Sequence, residues 1–236
     1  MYRHRFKNGI LAEFLPPARK TKKTKVIILC DGLPSIPRKQ SLAEFLANKG
    51  YWIIYPRYRG AWESEGNFLE VSPEEDISEI ISELPKGLTD IAFQKKFELS
   101  PDEIFVIGGS FGGCTALMAS LDHRVKKVVA NCPVVDWSIL SEELPKETSN
   151  KNYADYIRTA YGSGYRLSDK NWAKLETEKF FNPAHHRKEL DPSKIIMFHA
   201  KDDPYIPWKI VNDFAKKTKI RLYSFAHGGH LDTITT

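Results

Sequence analysis

The chain has 236 residues, of which 42% are hydrophobic and 28% charged, a balance that argues against disorder and fits one large α/β domain. The formal net charge of +5 comes partly from Arg19, Lys20, Lys22, Lys23 and Lys25, but no stacking aromatics interleave this run, so a solvated connector is expected rather than a nucleic-acid platform. No stretch reaches the roughly 18–20 apolar residues of a membrane helix, and MYRHRFKNG lacks the apolar core of a signal peptide, so a cytoplasmic protein with no membrane partner is expected.

Taken in order, Tyr2–Phe6 and Ile10–Leu15 flank Asn8-Gly9, a pair suited to the positive φ angles of a tight turn, which predicts an opening β-hairpin. Val26–Leu29 is a continuous apolar run ending at Asp31-Gly32, the pattern of a central parallel strand covered on both faces. Ser41–Asn48 reads as a helix with Leu42, Phe45 and Leu46 on one face and Gly50 at its end, and Trp52–Tyr55 as the next strand. Ser72, Pro73 and Glu75 form a helix-start signal with a capping box, ahead of Ile77, Ile80, Ile81 and Leu84 at helical spacing. Strands at Ile104–Ile107 and Val125–Ala130 with a helix over Thr115–Leu121 continue a β-α-β alternation, which predicts a parallel sheet. Residues 138–190 lose the alternation and turn aromatic and charged, as in an inserted helical cap. Ile195–Phe198, a helix around Trp208–Ala215 and Arg221–Phe225 complete the pattern, giving a single domain over 1–236.

The densest chemical signal is Gly108-Gly109-Ser110-Phe111-Gly112-Gly113, between a predicted strand and a predicted helix. A serine at such a corner exposes its hydroxyl, and side chains two residues to either side would clash, which explains Gly108 and Gly112. The helix beginning there aims its amides at the site, so the backbone N–H of Phe111 can hold an oxyanion. A serine hydroxyl needs a base, and the base an orienting acid. Asp202 and Asp203 follow one strand, His227 and His230 the last, and Asp136 is a third carboxylate beyond a strand end. Cys30, Cys114 and Cys132 lack metal-ligand spacing and read as reduced thiols, with Cys114 a packing residue.

These residues resemble the α/β-hydrolase superfamily and, within it, the catalytic domain of the prolyl oligopeptidase-like group, over about Val26–His230. GGSFGG is similar to that group's nucleophile elbow, and the segment His199–Pro207 to its acid loop, H-G-x-x-D-x-x-V-P, an alignment that selects Asp203 over Asp202. His227-Gly228-Gly229-His230 resembles the terminal loop whose histidine after glycine is the base, which selects His230. Tyr58-Arg59-Gly60 and Pro133–Trp137 match two further loops, and Cys30–Pro34 matches the loop whose backbone supplies the second oxyanion donor, here the N–H of Leu33. Asp31 stands where the group carries histidine, so it must point away, pair with a cation such as Arg59, or alter substrate preference.

The resemblance implies an α/β-hydrolase fold, a mostly parallel central sheet flanked by helices with a small helical cap. It also implies a serine hydrolase that cleaves carboxylic esters through Ser110, His230 and Asp203, with Leu33 and Phe111 amides as the oxyanion hole. No cofactor and no metal are expected. The expected partner is a small ester or acyl substrate, and a homo-oligomer remains open. Peptidases of the group carry a large N-terminal propeller, whereas about 24 residues precede the first parallel strand here, so a small aminopeptidase or acyl-peptide hydrolase is the second enzyme reading. A noncatalytic ligand-binding protein on the same fold is the third. Six residues follow His230, where the group continues into a closing helix.

Overall fold

A computed structural model describes residues 1–19, 21–138, 150–177 and 180–230. Lys20 of the basic run, parts of the predicted cap (139–149 and 178–179) and the tail after His230 lie outside them. Strands β1 (Tyr2–Arg5) and β2 (Leu11–Leu15) form the predicted hairpin, with Gly9 at φ 80° in its turn. Next come β3 (Lys25–Cys30), α1 (Gln40–Asn48), β4 (Tyr51–Pro56) and α2 (Pro73–Glu83). They are followed by the short strands β5 (Leu88–Thr89) and β6 (Lys96–Phe97), then β7 (Glu103–Gly109), α3 (Phe111–Ala119) and β8 (Val125–Asn131). In the region predicted as a cap lie α4 (Asn150–Tyr161) and α5 (Asp169–Trp172), followed by β9 (Ile195–Ala200), α6 (Trp208–Thr218) and β10 (Arg221–Phe225).

The main sheet has eight strands in the order β1-β2-β4-β3-β7-β8-β9-β10. Every pairing from β4 through β10 is parallel, and only the entering hairpin and its junction with β4 are antiparallel. Parallel neighbours bring their carboxyl ends to one edge, so the loops after β3, β7, β8, β9 and β10 open on the same side. The continuous apolar run of β3 divides between two cores: Val26, Ile28 and Cys30 face one, Ile27 and Leu29 the other. That division is the physical reason a strand buried on both faces shows no polar alternation.

Local details depart from the sequence pattern in two places. In α1 the packed positions are Ala43 and Ala47, while Phe45 is 57% exposed, because the small residues let the helix lie close on the sheet. In α2 the capping box does not form: Ser72 has extended backbone ahead of Pro73, but its hydroxyl turns to the Glu74 carboxylate rather than to an amide. The core face of α2 is as predicted, with Ile77, Ile80, Ile81 and Leu84 buried. Among the described residues no helix is long and apolar enough to cross a membrane.

The described part of the segment after β8 is mainly helical and is tied to the loop after β4 by side chains, among them Arg166 to Gly66 O and Trp62 O and Asn171 to Phe68 O, and by backbone pairs. Arg166 N–H donates to Gly60 O at 2.7 Å, Phe68 N–H to Arg166 O at 2.8 Å and Trp62 N–H to Gly164 O at 2.8 Å. Its aromatics are mainly packing groups: Tyr165, Trp172 and Phe181 are buried, as is Trp137 just ahead of it, whereas Tyr156 is exposed. Phe181 and Trp137 close around the ring of Phe111, with centroids 4.8 and 5.9 Å away, and so brace the start of α3 from below.

Candidate active site

Ser110 joins β7 to α3 at φ 58° and ψ −120°, a conformation costing a non-glycine residue about 1–3 kcal/mol. Close packing on both sides imposes it. A Cβ on Gly108 would stand 2.0 Å from Gly112 O, and one on Gly112 would stand 2.4 Å from Cys30 O, so only glycine lets the elbow, the helix and the end of β3 meet. Ser110 N–H donates to Asn131 O at 2.9 Å, and its side chain caps no helix amide, so the hydroxyl is not consumed by structure.

Strands lie about 4.8 Å apart, so the ends of β7 and β10 are separated by roughly 14 Å and the loops must lean back to converge. The loop after β9 carries Asp203, whose Oδ1 accepts N–H bonds from Tyr205 at 2.9 Å and Ile206 at 3.0 Å. Its other oxygen, Oδ2, meets His230 Nδ1 at 2.8 Å. Neighbouring Asp202 instead sits in a surface pair with His227, at 3.4 Å, whose side chain is 91% exposed. Asp202 also accepts Gly229 N–H at 2.9 Å and so anchors the loop on which His230 rides. Asp136 is occupied elsewhere, by Ser138 N–H at 3.1 Å and the Asn182 amide at 3.3 Å. The structure thus joins Asp203 with His230, while Ser110 Oγ, in this state, shares no hydrogen bond with the imidazole.

Three features of the site have surroundings that the sequence does not indicate. The first is Cys132, after β8 and therefore between the elbow and the acid loop. It is fully buried at φ 38°, beside the Ser110 backbone, and burial pushes its thiol up to about 12. The second is His199, buried beneath the acid loop, with Nε2 donating to Ile206 O at 2.8 Å and 3.5 Å from Asp203 Oδ2. Its Nδ1 has no hydrogen-bond partner, and burial holds its basicity below the ordinary imidazole range. The unfolded chain takes a proton near pH 6.5 that the native site resists, so the stability contribution is complete above about 6.5 and lost as pH falls below it, by at most ~1.4 kcal/mol per pH unit. Thermal melts between pH 5 and 8 are expected to show this acid limb, and His199→Gln to flatten it.

The third is a ring of hydroxyls around the loop after β3. Asp31 is buried, accepts a short hydrogen bond from Tyr55 Oη and pairs with Lys39 Nζ at 3.1 Å. Arg59 is therefore not its partner: the guanidinium grips Asp76 at 2.6 and 3.0 Å and reaches Glu79 at 3.3 Å. Tyr58 Oη donates to Asp31 O at 2.8 Å, and Tyr153 Oη, from α4, to Leu33 O at 2.8 Å. Tyr165 Oη accepts Ser35 N–H at 3.0 Å, and Trp62 Nε1 donates to Ser35 O at 3.1 Å. The loop carrying the Leu33 amide is thus held on several sides, close enough to the elbow that a Cβ on Gly32 would lie 3.7 Å from Ser110 Cβ.

A parallel sheet in this order, with a serine at the strained corner after a central strand and further chemistry on the loops of its neighbours, defines an α/β-hydrolase. The model of the prolyl oligopeptidase family matches residues 38–230, and the chain belongs to that family. Solved structures share the fold. A Pyrococcus horikoshii acylaminoacyl peptidase is similar with a TM-score of 0.67 at 19% identity, over 99% of this chain but 37% of its own. A Pyrococcus furiosus esterase gives 0.66 at 16% identity, over 98% of this chain and 82% of its own. An esterase from Thermogutta terrifontis gives 0.61 at 19% identity, over 94% and 78%. No curated protein matches the sequence.

Proposed function

We propose that this hydrolase cleaves small carboxylic esters by acyl transfer through Ser110, with His230 as base and Asp203 as the acid that orients it. The observation that carries the reading is the 2.8 Å contact between Asp203 and His230, on loops of the same sheet edge as a serine elbow. Asp203 fixes the proton of His230 on Nδ1 and leaves Nε2 free to accept a proton. In the reaction Nε2 takes the Ser110 proton as Oγ attacks the carbonyl, and the amides of Leu33 and Phe111 hold the developing oxyanion. His230 then protonates the departing alcohol, and water releases the acyl group by the same steps in reverse order. The Ser110–His230 hydrogen bond closes when substrate enters, as is common in unliganded sites.

In this reading residues 1–236 act as one domain, the segment 138–190 serves as a cap over the acyl site, and the enzyme works in the cytoplasm. The ester reading is supported by two esterases that share the fold, from Pyrococcus furiosus and Thermogutta terrifontis. Acyl-peptide hydrolysis is the second reading, favoured by the peptidase's TM-score of 0.67. Rates on short-chain aryl esters against aminoacyl and acyl-aminoacyl anilides decide between them. Faster turnover of the anilides would overturn the ester assignment.

Tyr153→Phe tests the coupling of cap to oxyanion loop. Removing the hydroxyl leaves Leu33 O without its 2.8 Å donor, worth about 1 kcal/mol, so kcat on an aryl ester is expected to fall roughly fivefold with KM little changed.

A further inference from the structure

One ligand atom each from Cys132, Asp203 and His230 lie within 4.8 Å of one another, and no other group of this kind occurs among the described residues. The three come from the loops after β8, β9 and β10, so no spacing in the sequence announces them. In a tetrahedral zinc site, Zn–S of roughly 2.3 Å and Zn–N or Zn–O of roughly 2.0–2.1 Å put neighbouring ligands some 3.3–3.6 Å apart, so closing by on the order of 1 Å assembles three of the four corners. Cys132 and the Asp203 carboxylate are buried, whereas the His230 side chain is 16% exposed and offers the way in.

We infer that the Cys132–Asp203–His230 cluster is an inhibitory site for a thiophilic divalent cation, zinc above all. The ion binds the Cys132 thiolate, one Asp203 oxygen and one imidazole nitrogen, leaving the fourth position to water. One proton, from the thiol, passes to solvent, and the neutral imidazole keeps its single proton on the nitrogen away from the metal. A thiolate and a carboxylate balance the two positive charges, so the assembled set is neutral, which suits a largely buried site. Thiol ionisation is strongly disfavoured in the free protein, but coordination drives it. With His230 and Asp203 held by the metal, the base cannot serve Ser110. That loss of activity rests on the proposed triad, whereas binding does not.

Two measurements on the full chain test the site. Zinc titration against hydrolysis of an aryl ester is expected to give reversible inhibition relieved by chelator, with no effect of magnesium at the same concentration, and to weaken about tenfold or more in Cys132→Ser and Cys132→Ala. Cadmium is expected to produce one equivalent of cadmium–thiolate ultraviolet absorption in the wild type and in Ser110→Ala, to lose it in Cys132→Ser and to reduce it in His230→Gln. Equal zinc sensitivity of the wild type and the Cys132 variants, or no cadmium–thiolate signal in folded Ser110→Ala, would overturn the site. Should Ser110→Ala keep its esterase activity, the triad reading fails, while the cadmium signal still decides the metal site.

Discussion

Ser110→Ala is expected to lower kcat on a short-chain aryl ester by about 10⁴-fold or more, equivalent to roughly 5.5 kcal/mol or more of transition-state stabilisation. Alanine removes the attacking oxygen and nothing else. The elbow's φ of 58° is imposed by packing around Gly108 and Gly112, and Ser110 Oγ caps no helix amide, so the variant keeps its fold. Circular dichroism and melting temperature should match the wild type, and covalent labelling by a fluorophosphonate probe should vanish. Full activity in the variant would remove Ser110 from the mechanism. An inert and unlabelled wild type would instead favour a ligand-binding protein on the hydrolase fold.

Asp203→Asn should cost a comparable 10⁴-fold or so in kcat, and the geometry says why. Oδ1 of the native carboxylate accepts two backbone amides, from Tyr205 and Ile206. Asparagine satisfies those donors only with its carbonyl oxygen, which turns its NH₂ toward His230 Nδ1. The imidazole must then accept at Nδ1 and carry its proton on Nε2, the tautomer that cannot take a proton from serine. Asp202→Asn is the matched control. Its exposed pair with His227 is worth little, and its amide oxygen can still accept Gly229 N–H, so kcat should stay within about twofold of wild type. Reversed sensitivities of the two variants would give the role of acid to Asp202.

The structure bears on the alternatives the sequence left in view. Asp202 and Asp203 are adjacent, the two histidines are separated only by Gly228-Gly229, and nothing in local composition distinguishes a buried carboxylate from an exposed one a single residue along the chain. Only the fold turns one Asp–His pair inward and leaves the other at the surface. Asp31 is the clearest surprise. Its charge is met by Lys39 and Tyr55, residues 8 and 24 positions away that belong to a helix approach and a neighbouring strand. Arg59, the cation adjacent to the matching loop motif, is committed to Asp76 on α2 instead.

What the sequence by itself determined is what short-range physics dictates. Apolar runs place the central strands, helical spacing places the core face of α2, and the steric demand for glycine on either side of Ser110 marks the elbow. Asp203 and His230 are selected by the family resemblance; what the tertiary structure alone decided is which further side chains from separate loops come together: Tyr153 with Leu33 O, Asp31 with Lys39 and Tyr55, and Cys132 beside the Asp203–His230 pair. Those meetings depend on strand order and on how far each loop leans across a sheet edge roughly 14 Å wide, a long-range property that no stretch of neighbouring residues encodes.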